Sequence, residues 1–563
     1  MRSMNWEIGG FDRTSAVDFC RQGINPLVSV LLTSRGVTSI EGIRAILDDD
    51  PSGIHDPFLM TDMDRAVSRI NTAIENNERI AIYGDYDVDG MTSCALIALW
   101  LRSKGLEYET YIPGRFGEGY GLNSTALESL KSRGVGLVIT VDCGITAIEE
   151  AEYARSIGLG LVITDHHECR EELPEADAVI DPKRPDCAYP NKALAGVGVA
   201  FKLVCALEGV TDCSEMIDRY GDLVAIGTIA DIMPVLGENR ELIRRGLQVF
   251  NNGSRPGLLR LLHEVGVEPG KLNGSTVGFT IAPRLNAAGR MGRPELSVDL
   301  LLTDSAADAD TLTVELCRLN AERRILETEI FEEAVAMLPD TLQDEPVVLA
   351  CRGWFQGVTG IVAAKIAERY QIPAIIISID EDGVGRGSCR SYGSFGIYDA
   401  LRCCEDILSS YGGHEMAAGV TVAEGDIDEL RTRIVSLFRE SVEVSPKSGL
   451  FLDFEVEKLE LLSVDNVAAL ESLEPFGNGN PSPCLCIMNA TLAAIYPIGA
   501  GKHTRLRVEK AGKSMDCVFF SMPPEELHIR EGMLVDLAFE PQMNEYRGRS
   551  NVQLNLIDIR MSE

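Results

Sequence analysis

The chain has 563 residues, and its 86 Asp and Glu against 52 Lys and Arg give a formal charge of −34, which excludes broad electrostatic attachment to nucleic acid or anionic membranes. The length divided by roughly 150 predicts three or four domains, and 15 scattered cysteines without a CxxC pair favour a reducing compartment. With no signal-peptide pattern and no apolar run long enough for a bilayer, we expect a soluble, cytoplasmic protein.

The first 300 residues contain an alternation of strands and helices. Residues 1 to about 55 carry weak helical patterns without a chemical motif, and we expect them to form an N-terminal adaptor. From about residue 78 the alternation predicts a mainly parallel sheet covered by helices on both faces. The strand candidates, with helices between the first four, are 80–83, 108–112, 136–141, 159–164 and 178–180.

The rest of the chain predicts a helical region, a second α/β unit and a β-rich end. Residues 195–250 have helical patterns, and a charged helix over 307–338 is expected to bridge two domains. After residue 449, alternating apolar residues predict a small β-barrel or β-sandwich. The second α/β unit is predicted as strand 347–350, helix 360–370, strand 374–379, a Gly-rich loop over 383–391 and helix 395–410.

One segment, AIYGDYDVDGMT at 81–92, combines a strand, an acidic loop and a helix start. Its three aspartates, Asp85, Asp87 and Asp89, would face the ligand crevice at the carboxyl end of a strand. Crowded carboxylates repel one another, and one or two divalent cations would offset that charge. The alternative is a solvated Asp-Gly turn, and the loop alone does not decide between the two.

Three further acidic segments strengthen the metal interpretation. Asp142 ends one predicted strand, Asp165-His166-His167 ends the next, and Asp231 lies in an apolar stretch where an unpaired carboxylate would be costly. Neighbouring strand residues face opposite sides, so at most one of the two histidines fills the core. Carboxylates and one imidazole from four segments have the composition of a two-metal site that activates water.

The segments YGDYDVDG, VDCG, TDHH and GTIADIMP resemble, in order and spacing, the signature of the DHH phosphoesterase superfamily. Five other stretches narrow the resemblance to the RecJ family of single-strand-specific exonucleases: IPGRFGEGYGLN, APRLNAAGRMG, GWFQGVTGIVAAKIAERY, GRGSCRS and GGHEMAAGV. The resemblance covers about residue 55 to the end. It implies an α/β fold with a DHH domain at 56–306, a long linking helix at 307–342, a DHH-associated (DHHA1) α/β domain at 343–446 and an oligonucleotide-binding (OB-fold) β-barrel at 447–563.

The resemblance also implies the site residues. Two Mn²⁺ or Mg²⁺ ions would be held by Asp85, Asp87, Asp89, Asp142, His166 and Asp231. Asp142 would bridge the ions, with Asp87 and nearby Asp85 on the first ion. The second ion would take Asp89, His166 and Asp231. Asp165 and His167 would support them, with His167 orienting His166 or contacting the phosphate. His414 would stabilise charge at the reacting phosphorus.

Two groups of residues are candidates for gripping the strand. The expected phosphate contacts are Arg115, Arg284, Asn286, Arg290, Ser388 and Arg390, with Arg386 as an additional donor. In the barrel, a local basic track would consist of Lys502, His503, Arg505, Arg507, Arg547 and Arg549. The aromatic candidates Tyr496, Phe519 and Tyr546 would either stack on bases or fill the barrel core, two uses that the sequence leaves equal.

The implied activity is 5′→3′ degradation of single-stranded DNA to 5′-mononucleotides, in DNA repair, recombination or replication. Single-stranded DNA is the expected partner, together with a helicase-associated complex or a single-strand-binding protein, and we expect a monomer. One alternative is a phosphodiesterase for short RNA or cyclic dinucleotides, which residues 449–563 disfavour because such relatives typically lack this tail. A replication-complex scaffold is the other, and the intact acidic motifs disfavour it.

Overall fold

Two units divide the chain: residues 51–445 form one, and residues 1–50 join 446–563 in the other. The computed structural model describes residues 5–47, 53–114, 121–253, 255–268, 270–338, 345–441, 449–546 and 549–562. The N-terminal elements are β1 (Trp6–Ile8), α1 (Arg13–Arg21), α2 (Pro26–Ser34) and α3 (Ile40–Leu47). No helix among the described residues has the length and apolar character needed to cross a bilayer.

A five-stranded parallel sheet, in the order β3-β2-β4-β5-β6, organises the first part of the larger unit. Its elements are α4 (Met63–Glu75), β2 (Arg79–Gly84), α5 (Val88–Ser103), β3 (Tyr108–Tyr111), α6 (Ser124–Ser132), β4 (Val135–Val141), α7 (Ile148–Ser156), β5 (Gly160–Thr164) and β6 (Ala178–Ile180). The predicted parallel sheet is confirmed, and every predicted strand end lies within one residue of the observed end.

The sheet is buried on both faces, which explains its continuous apolar strands. Ile82, Ile139 and Val162 face one core, which contains α5 and the helices that follow the sheet in the chain. Val138 and Ile163 face a second core with α6 and α7. Side-chain alternation along each strand therefore supplies two cores from one sheet.

Helices complete the first part of this unit. They are α8 (Gly196–Leu207), α9 (Ser214–Ala230), α10 (Gly237–Asn252), α11 (Pro256–Glu264), α12 (Gly274–Thr276), a π-helical turn (Val277–Ile281), α13 (Ala282–Arg290), α14 (Glu295–Leu302) and α15 (Ala306–Ala336). The long helix predicted over 307–338 corresponds to α15. Helices α8 and α9 pack against α5, which brings the ends of three helices to the sheet edge that carries the acidic residues.

The second sheet is mixed, in the order β10-β11-β9-β8-β7, with only β7 and β8 parallel. Its elements are β7 (Val347–Arg352), α16 (Gln356–Tyr370), β8 (Ala374–Ile379), β9 (Val384–Arg390), α17 (Ile397–Arg402), β10 (Leu408–His414), β11 (Ala417–Ala423) and α18 (Ile427–Ser441).

Two predictions for this unit are wrong. The predicted Gly-rich loop at 383–391 is the central strand β9, where a Cβ on Gly387 would come within 2.8 Å of both Ile377 and Val420. Its glycines therefore permit close packing inside a sheet. The predicted helix at 395–410 is also too long: α17 ends at Arg402, and β10 begins at Leu408 and pairs with β11.

The smaller unit contains the C-terminal barrel. Its elements are β12 (Leu450–Leu452), β13 (Phe454–Glu455), α19 (Val464–Ala468), β14 (Leu485–Ile498), β15 (His503–Lys510), β16 (Lys513–Phe519), β17 (Leu534–Tyr546) and β18 (Arg549–Met561). The strand order β13-β14-β15-β16-β18-β17 closes because β17 also pairs with β14, which confirms the barrel prediction.

The N-terminal residues share this barrel's core. Strand β1 pairs in parallel with β12, and Phe19, Leu27 and Leu31 pack in one cluster with Phe454 of the barrel. The segment predicted as an adaptor thus contributes apolar side chains to a core formed mainly by residues more than 400 positions later.

Candidate metal centre

The carboxyl ends of the parallel strands bring the predicted acidic residues together. Asp85 follows β2, Asp142 follows β4 and Asp165 follows β5, and these three strands are neighbours in the sheet. Because parallel strands all end at one edge, their terminal side chains share one crevice. All three carboxylates are buried.

Two more carboxylates come from the first turn of α5. Asp87 is the N-cap, and its Oδ1 accepts hydrogen bonds from the Asp89 and Gly90 amides at 2.9 and 3.1 Å. The Asp89 carboxylate accepts from the Gly196 and Val197 amides at 2.7 and 2.8 Å, in the first turn of α8. The positive end of a second helix thus holds Asp89 in place.

Glycines allow the helices to approach this edge. A Cβ on Gly196 would lie 2.6 Å from Asp142 Oδ1, and a Cβ on Gly227 of α9 would lie 2.9 Å from Asp89 Oδ1. The Asp142 backbone has φ 61°, in the left-handed region, which turns the chain directly after β4. Close packing at these two glycines therefore places α8 and α9 directly against the acidic side chains.

His166 lies among three carboxylates. Its Nε2 is 3.1 Å from Asp142 Oδ1, 3.6 Å from Asp231 Oδ2 and 3.8 Å from Asp89 Oδ2. Burial lowers the pKa of His166 to about 3, so its ring is neutral at pH 7. A neutral imidazole is the form that binds a metal ion.

The buried carboxylates repel one another when no cation is bound. Burial and then the neighbouring carboxylates raise the pKa of Asp89 and Asp142 well above the usual range, and the same causes raise the pKa of Asp231 to about 7. Within the described residues, Asp142 Oδ1 and Asp231 Oδ2 are buried without a hydrogen-bond partner. Such oxygens fit a divalent cation.

Three groups of side chains have donor atoms within 4.8 Å of one another. They are Asp85, Asp87 and Asp142; Asp89, His166 and Asp231; and Asp142, His166 and His167. Asp142 and His166 each belong to two groups, so the groups are contiguous. Oxygen donors with imidazole suit Mn²⁺ and accept Mg²⁺, and the set fits two such ions.

Asp165 and His167 form a pair beside these groups. Asp165 Oδ1 lies 2.7 Å from His167 Nδ1, and its Oδ2 accepts from the Ile145 amide at 2.9 Å. Burial alone would lower the pKa of His167, but the hydrogen bond and charge of Asp165 outweigh it and raise that pKa to about 9. His167 is therefore cationic at neutral pH. Its side chain is half-buried and lies at the rim of the site.

One acidic residue at this edge was missed from the sequence. Asp181 follows β6, and burial raises its pKa to about 8. Its Oδ1 accepts from the Lys183 amide at 2.7 Å, whereas its Oδ2 has no hydrogen-bond partner in the described part of the chain. The signal was available, because Asp181 directly follows a predicted strand, as Asp142 and Asp165 do.

The candidate phosphate residues on α13 lie next to the acidic loop. A Cβ on Gly289 would collide with the carbonyl of Tyr86, which lies between Asp85 and Asp87. Arg284 donates to the Thr280 carbonyl at 2.6 Å, and Asn286 and Arg290 are half-buried on the same helix. Helix α13, which carries two arginines and an amide, therefore packs against the metal loop at Gly289.

The end of α13 in turn contacts α16, the helix between β7 and β8. Arg290 Nη1 lies 3.4 Å from the Gly357 carbonyl, in the first turn of α16. In that turn Thr359 Oγ1 is 3.1 Å from Ser388 Oγ, and a Cβ on Gly360 would lie 3.4 Å from Arg390 Nη2. Ser388 and Arg390 on β9 thus lie beside a helix N-terminus, where amide groups favour an anion.

Other predicted residues have no contact with these groups in the described part of the chain, or lie outside it. His414 is exposed at the end of β10, and the three groups found in the described residues do not include it. Arg386 is exposed and pairs with Asp380 at 2.8 Å. Arg115 and Arg547 lie outside the described residues, as do the side chains of Tyr546 and Arg549.

The barrel separates its aromatic candidates. Phe519 is 6% exposed and belongs to the core, whereas Tyr496 is 51% exposed and lies opposite Arg505 in the β14–β15 register. Phe520, which the sequence analysis did not single out, is 54% exposed, and its ring centroid lies 5.6 Å from that of His503. Arg505 and Arg507 also bind Asp516, which offsets part of their charge.

Comparison with known proteins agrees with this architecture. The model of the DHH family, N-terminal domain, matches residues 79–228, the DHHA1 domain matches 344–440, and the RecJ OB domain matches 452–558. The single-stranded-DNA-specific exonuclease RecJ of Bacillus subtilis is 40% identical over all of this chain and 71% of its own length. The protein of the same name from Dickeya dadantii is 35% identical over 94% of this chain and 95% of its own.

Solved structures give the same result. The crystal structure of RecJ in complex with Mn²⁺ from Thermus thermophilus superposes with a TM-score of 0.84 and 29% identity, covering 100% of this chain and 80% of that one. A structure of RecJ with Mg²⁺ from the same organism gives a TM-score of 0.79. The fold and the near full-length identity agree, and the chain therefore belongs to the RecJ family.

Proposed function

We propose that the chain is a metal-dependent exonuclease that degrades single-stranded DNA 5′→3′ to 5′-mononucleotides. The relatives named above are single-stranded-DNA-specific exonucleases, and they match nearly the whole chain. The observation that carries the proposal is the set of buried carboxylates and one neutral imidazole within reach of two cations. A role in DNA repair, recombination or replication follows from this activity.

In this proposal Asp85, Asp87 and Asp142 hold one ion, and Asp89, His166 and Asp231 hold the other. The RecJ structures from Thermus thermophilus contain Mn²⁺ or Mg²⁺, and we expect the same ions here. When bound, the ions supply a nucleophile from water at neutral pH and offset the negative charge that builds up at phosphorus. Asp142 belongs to the first group, and its Oδ1 lies 3.1 Å from His166 Nε2 of the second, so it connects the two groups.

His167 supplies a positive charge to the substrate side of the site. Its pKa of about 9 keeps the ring protonated at pH 7, and Asp165 fixes the ring through Nδ1. A protonated Nε2 would donate to a phosphate oxygen of the bound strand. We assign His167 this contact because it lies on the rim, whereas His166 is buried among the metal-binding carboxylates.

We assign the 5′→3′ polarity to a pocket for the terminal phosphate. Its residues would be Arg115, Arg284, Asn286 and Arg290 from the DHH domain and Ser388 and Arg390 from the DHHA1 domain. Continuous packing from Tyr86 through Gly289 to Gly357 supports this assignment, because it connects the metal loop to the first turn of α16. Arginine side chains with helix-terminal amides bind a phosphate dianion well.

The barrel would bind the strand without base-specific contacts. Tyr496 and Phe520 offer exposed rings for stacking, and Arg505 and Arg507 on β15, with Lys502 in the turn before it, offer charge. Protein partners such as a helicase-associated complex or a single-strand-binding protein belong to this proposal, as do a cytoplasmic location and a monomeric state.

A single oligonucleotide tests the activity. The strand is labelled at the 5′ end in one reaction and at the 3′ end in another, with Mn²⁺ or with EDTA. We expect the 5′ label to appear at once as mononucleotide, the 3′-labelled strand to shorten stepwise, and EDTA to stop both. Binding without cleavage would contradict the enzyme assignment, and cleavage of only very short oligomers would indicate a short-substrate phosphodiesterase.

A further inference from the structure

A buried asparagine connects two loops that border the metal centre. Asn239, in the first turn of α10, is 1% exposed. Its Nδ2 donates to the Ala193 carbonyl at 2.5 Å and to the Pro234 carbonyl at 3.1 Å. Its Oδ1 accepts from Asn191 Nδ2 at 3.0 Å, which fixes the orientation of the amide. One side chain thus uses its donors and its acceptor to hold two separate segments.

The first segment positions Asp89. Ala193 lies three residues before Gly196, and the Gly196 and Val197 amides hold the Asp89 carboxylate at 2.7 and 2.8 Å. A shift of the 191–195 loop would therefore move the start of α8 and the carboxylate bound to it.

The second segment carries Asp231. This residue caps the C-terminus of α9, and Pro234 follows three residues later, after Ile232 with φ 57°. Asp231 Oδ2 lies 3.6 Å from His166 Nε2, and Asp89 Oδ2 lies 3.8 Å from the same nitrogen. The spacing of the two loops therefore sets the spacing of two carboxylates around one imidazole.

Glu238, the residue before Asn239, connects the start of α10 to other parts of the larger unit. Glu238 is buried and accepts from Tyr189 Oη at 2.8 Å and from the His55 amide at 3.0 Å. It also pairs with fully buried Lys202 at 2.8 Å. These contacts of Glu238 hold the start of α10, and therefore Asn239, in place.

We propose that Asn239 is a positioning residue that sets the distance between Asp89 and Asp231 for the second divalent ion. The inference rests on the proposed metal-dependent function, and it concerns a residue that touches neither the ion nor the strand. Side chains that orient metal ligands typically change metal affinity by about 10–100-fold when they are removed. We expect Asn239→Ala to weaken one of two Mn²⁺ sites by about that factor.

Calorimetric titration of the metal-free full-length protein with MnCl₂ tests the proposal without relying on turnover. The matched control is Asn251→Ala, at the other end of α10, where Asn251 bonds the Leu272 carbonyl and amide at 2.9 and 3.0 Å, away from the metal centre. Thermal unfolding in EDTA compares the stability of the two variants. Asn191→Ala, which removes the orienting partner of Asn239 together with the Asn191 bonds to the Ala193 amide and to Glu238, serves as a second variant that loosens the same loop.

The outcomes separate the two proposals. If wild-type protein binds no Mn²⁺, the proposed metal centre itself is wrong. If wild-type protein binds two ions and Asn239→Ala binds both equally well, the positioning role is wrong and the metal centre stands. If Asn251→Ala weakens Mn²⁺ binding as much as Asn239→Ala does, the effect reflects only a general destabilisation of α10. If Asn239→Ala does not fold, Asn191→Ala decides: a selective loss at one site supports the role, and wild-type affinity overturns it.

Discussion

Gly196→Ala should damage the metal centre while changing stability little. The added Cβ would lie 2.6 Å from Asp142 Cβ, whereas carbon atoms pack at about 3.5 Å, so the Asp142 backbone or α8 must move by about 0.9 Å. Metal–ligand distances tolerate roughly 0.2 Å, so we expect Mn²⁺ affinity to fall about tenfold or more. Alanine gains about 1 kcal/mol of helix propensity and overpacking costs about 1–3 kcal/mol, which leaves a net loss of about 0–2 kcal/mol.

Gly198→Ala in the same helix is the matched control. Its Cβ would meet Leu194 Cδ2 at 3.2 Å and Leu194 Cβ at 3.4 Å, contacts that a shift of a few tenths of an ångström relieves. We expect this variant to keep wild-type Mn²⁺ affinity and to gain about 0.5–1 kcal/mol of stability. Calorimetric titration with MnCl₂, the nuclease rate at saturating Mn²⁺ and denaturant unfolding in EDTA measure the three effects. A Gly196→Ala protein with wild-type Mn²⁺ affinity would refute the reasoning.

Three further changes test the electrostatics and the barrel. Asp142→Asn should abolish hydrolysis yet raise the melting temperature in EDTA at pH 8, because burial and neighbouring carboxylates raise the pKa of Asp142; a lower melting temperature contradicts this. The pKa of Asp231 is about 7 in the folded metal-free protein and near 3.8 in the unfolded chain. Its contribution to stability is therefore fully present below pH 3.8 and is lost as the pH rises through 7. Between pH 5 and 8 in EDTA, the stability of Asp231→Asn relative to wild type should therefore rise by about 1–3 kcal/mol, and a constant difference would be contrary evidence. Phe520→Ala should weaken binding of a long single strand by about 1–3 kcal/mol in anisotropy titrations with little change in melting temperature, whereas Phe519→Ala should destabilise the barrel; unchanged affinity for Phe520→Ala would exclude stacking there.

The parallel sheet was predictable because its signals are local. Strands β2, β4 and β5 are short apolar runs that end in an acid, and sequence order alone brings such ends to one edge. Asp181 obeys the same rule, but it is isolated from the other motifs, and it was missed for that reason.

Local composition misled where a glycine has a tertiary role. GRGSCRS has the composition of a loop, yet Gly385 and Gly387 lie inside a sheet because Ile377 and the valines of β11 occupy the space that a Cβ would need. The sequence also could not predict that residues 1–50 belong to the same unit as the barrel. Trp6 pairs with Leu450, which lies 444 positions later in the chain. Neither segment has a sequence pattern that predicts its pairing with the other.

The metal centre also depends on groups that no motif contains. Asp89 is held by two backbone amides, Asp142 fits only beside a glycine, and Asn239 joins the loops around them. Burial and the charge of neighbouring carboxylates raise the pKa of Asp89 and Asp142, because the ionised groups repel one another and would move apart if the chain allowed it. Backbone amides and close glycine contacts prevent that movement, because neither can be relieved by rotating a side chain. We therefore expect the rigidity that costs stability in the metal-free protein to hold the proposed ligands in place for two cations.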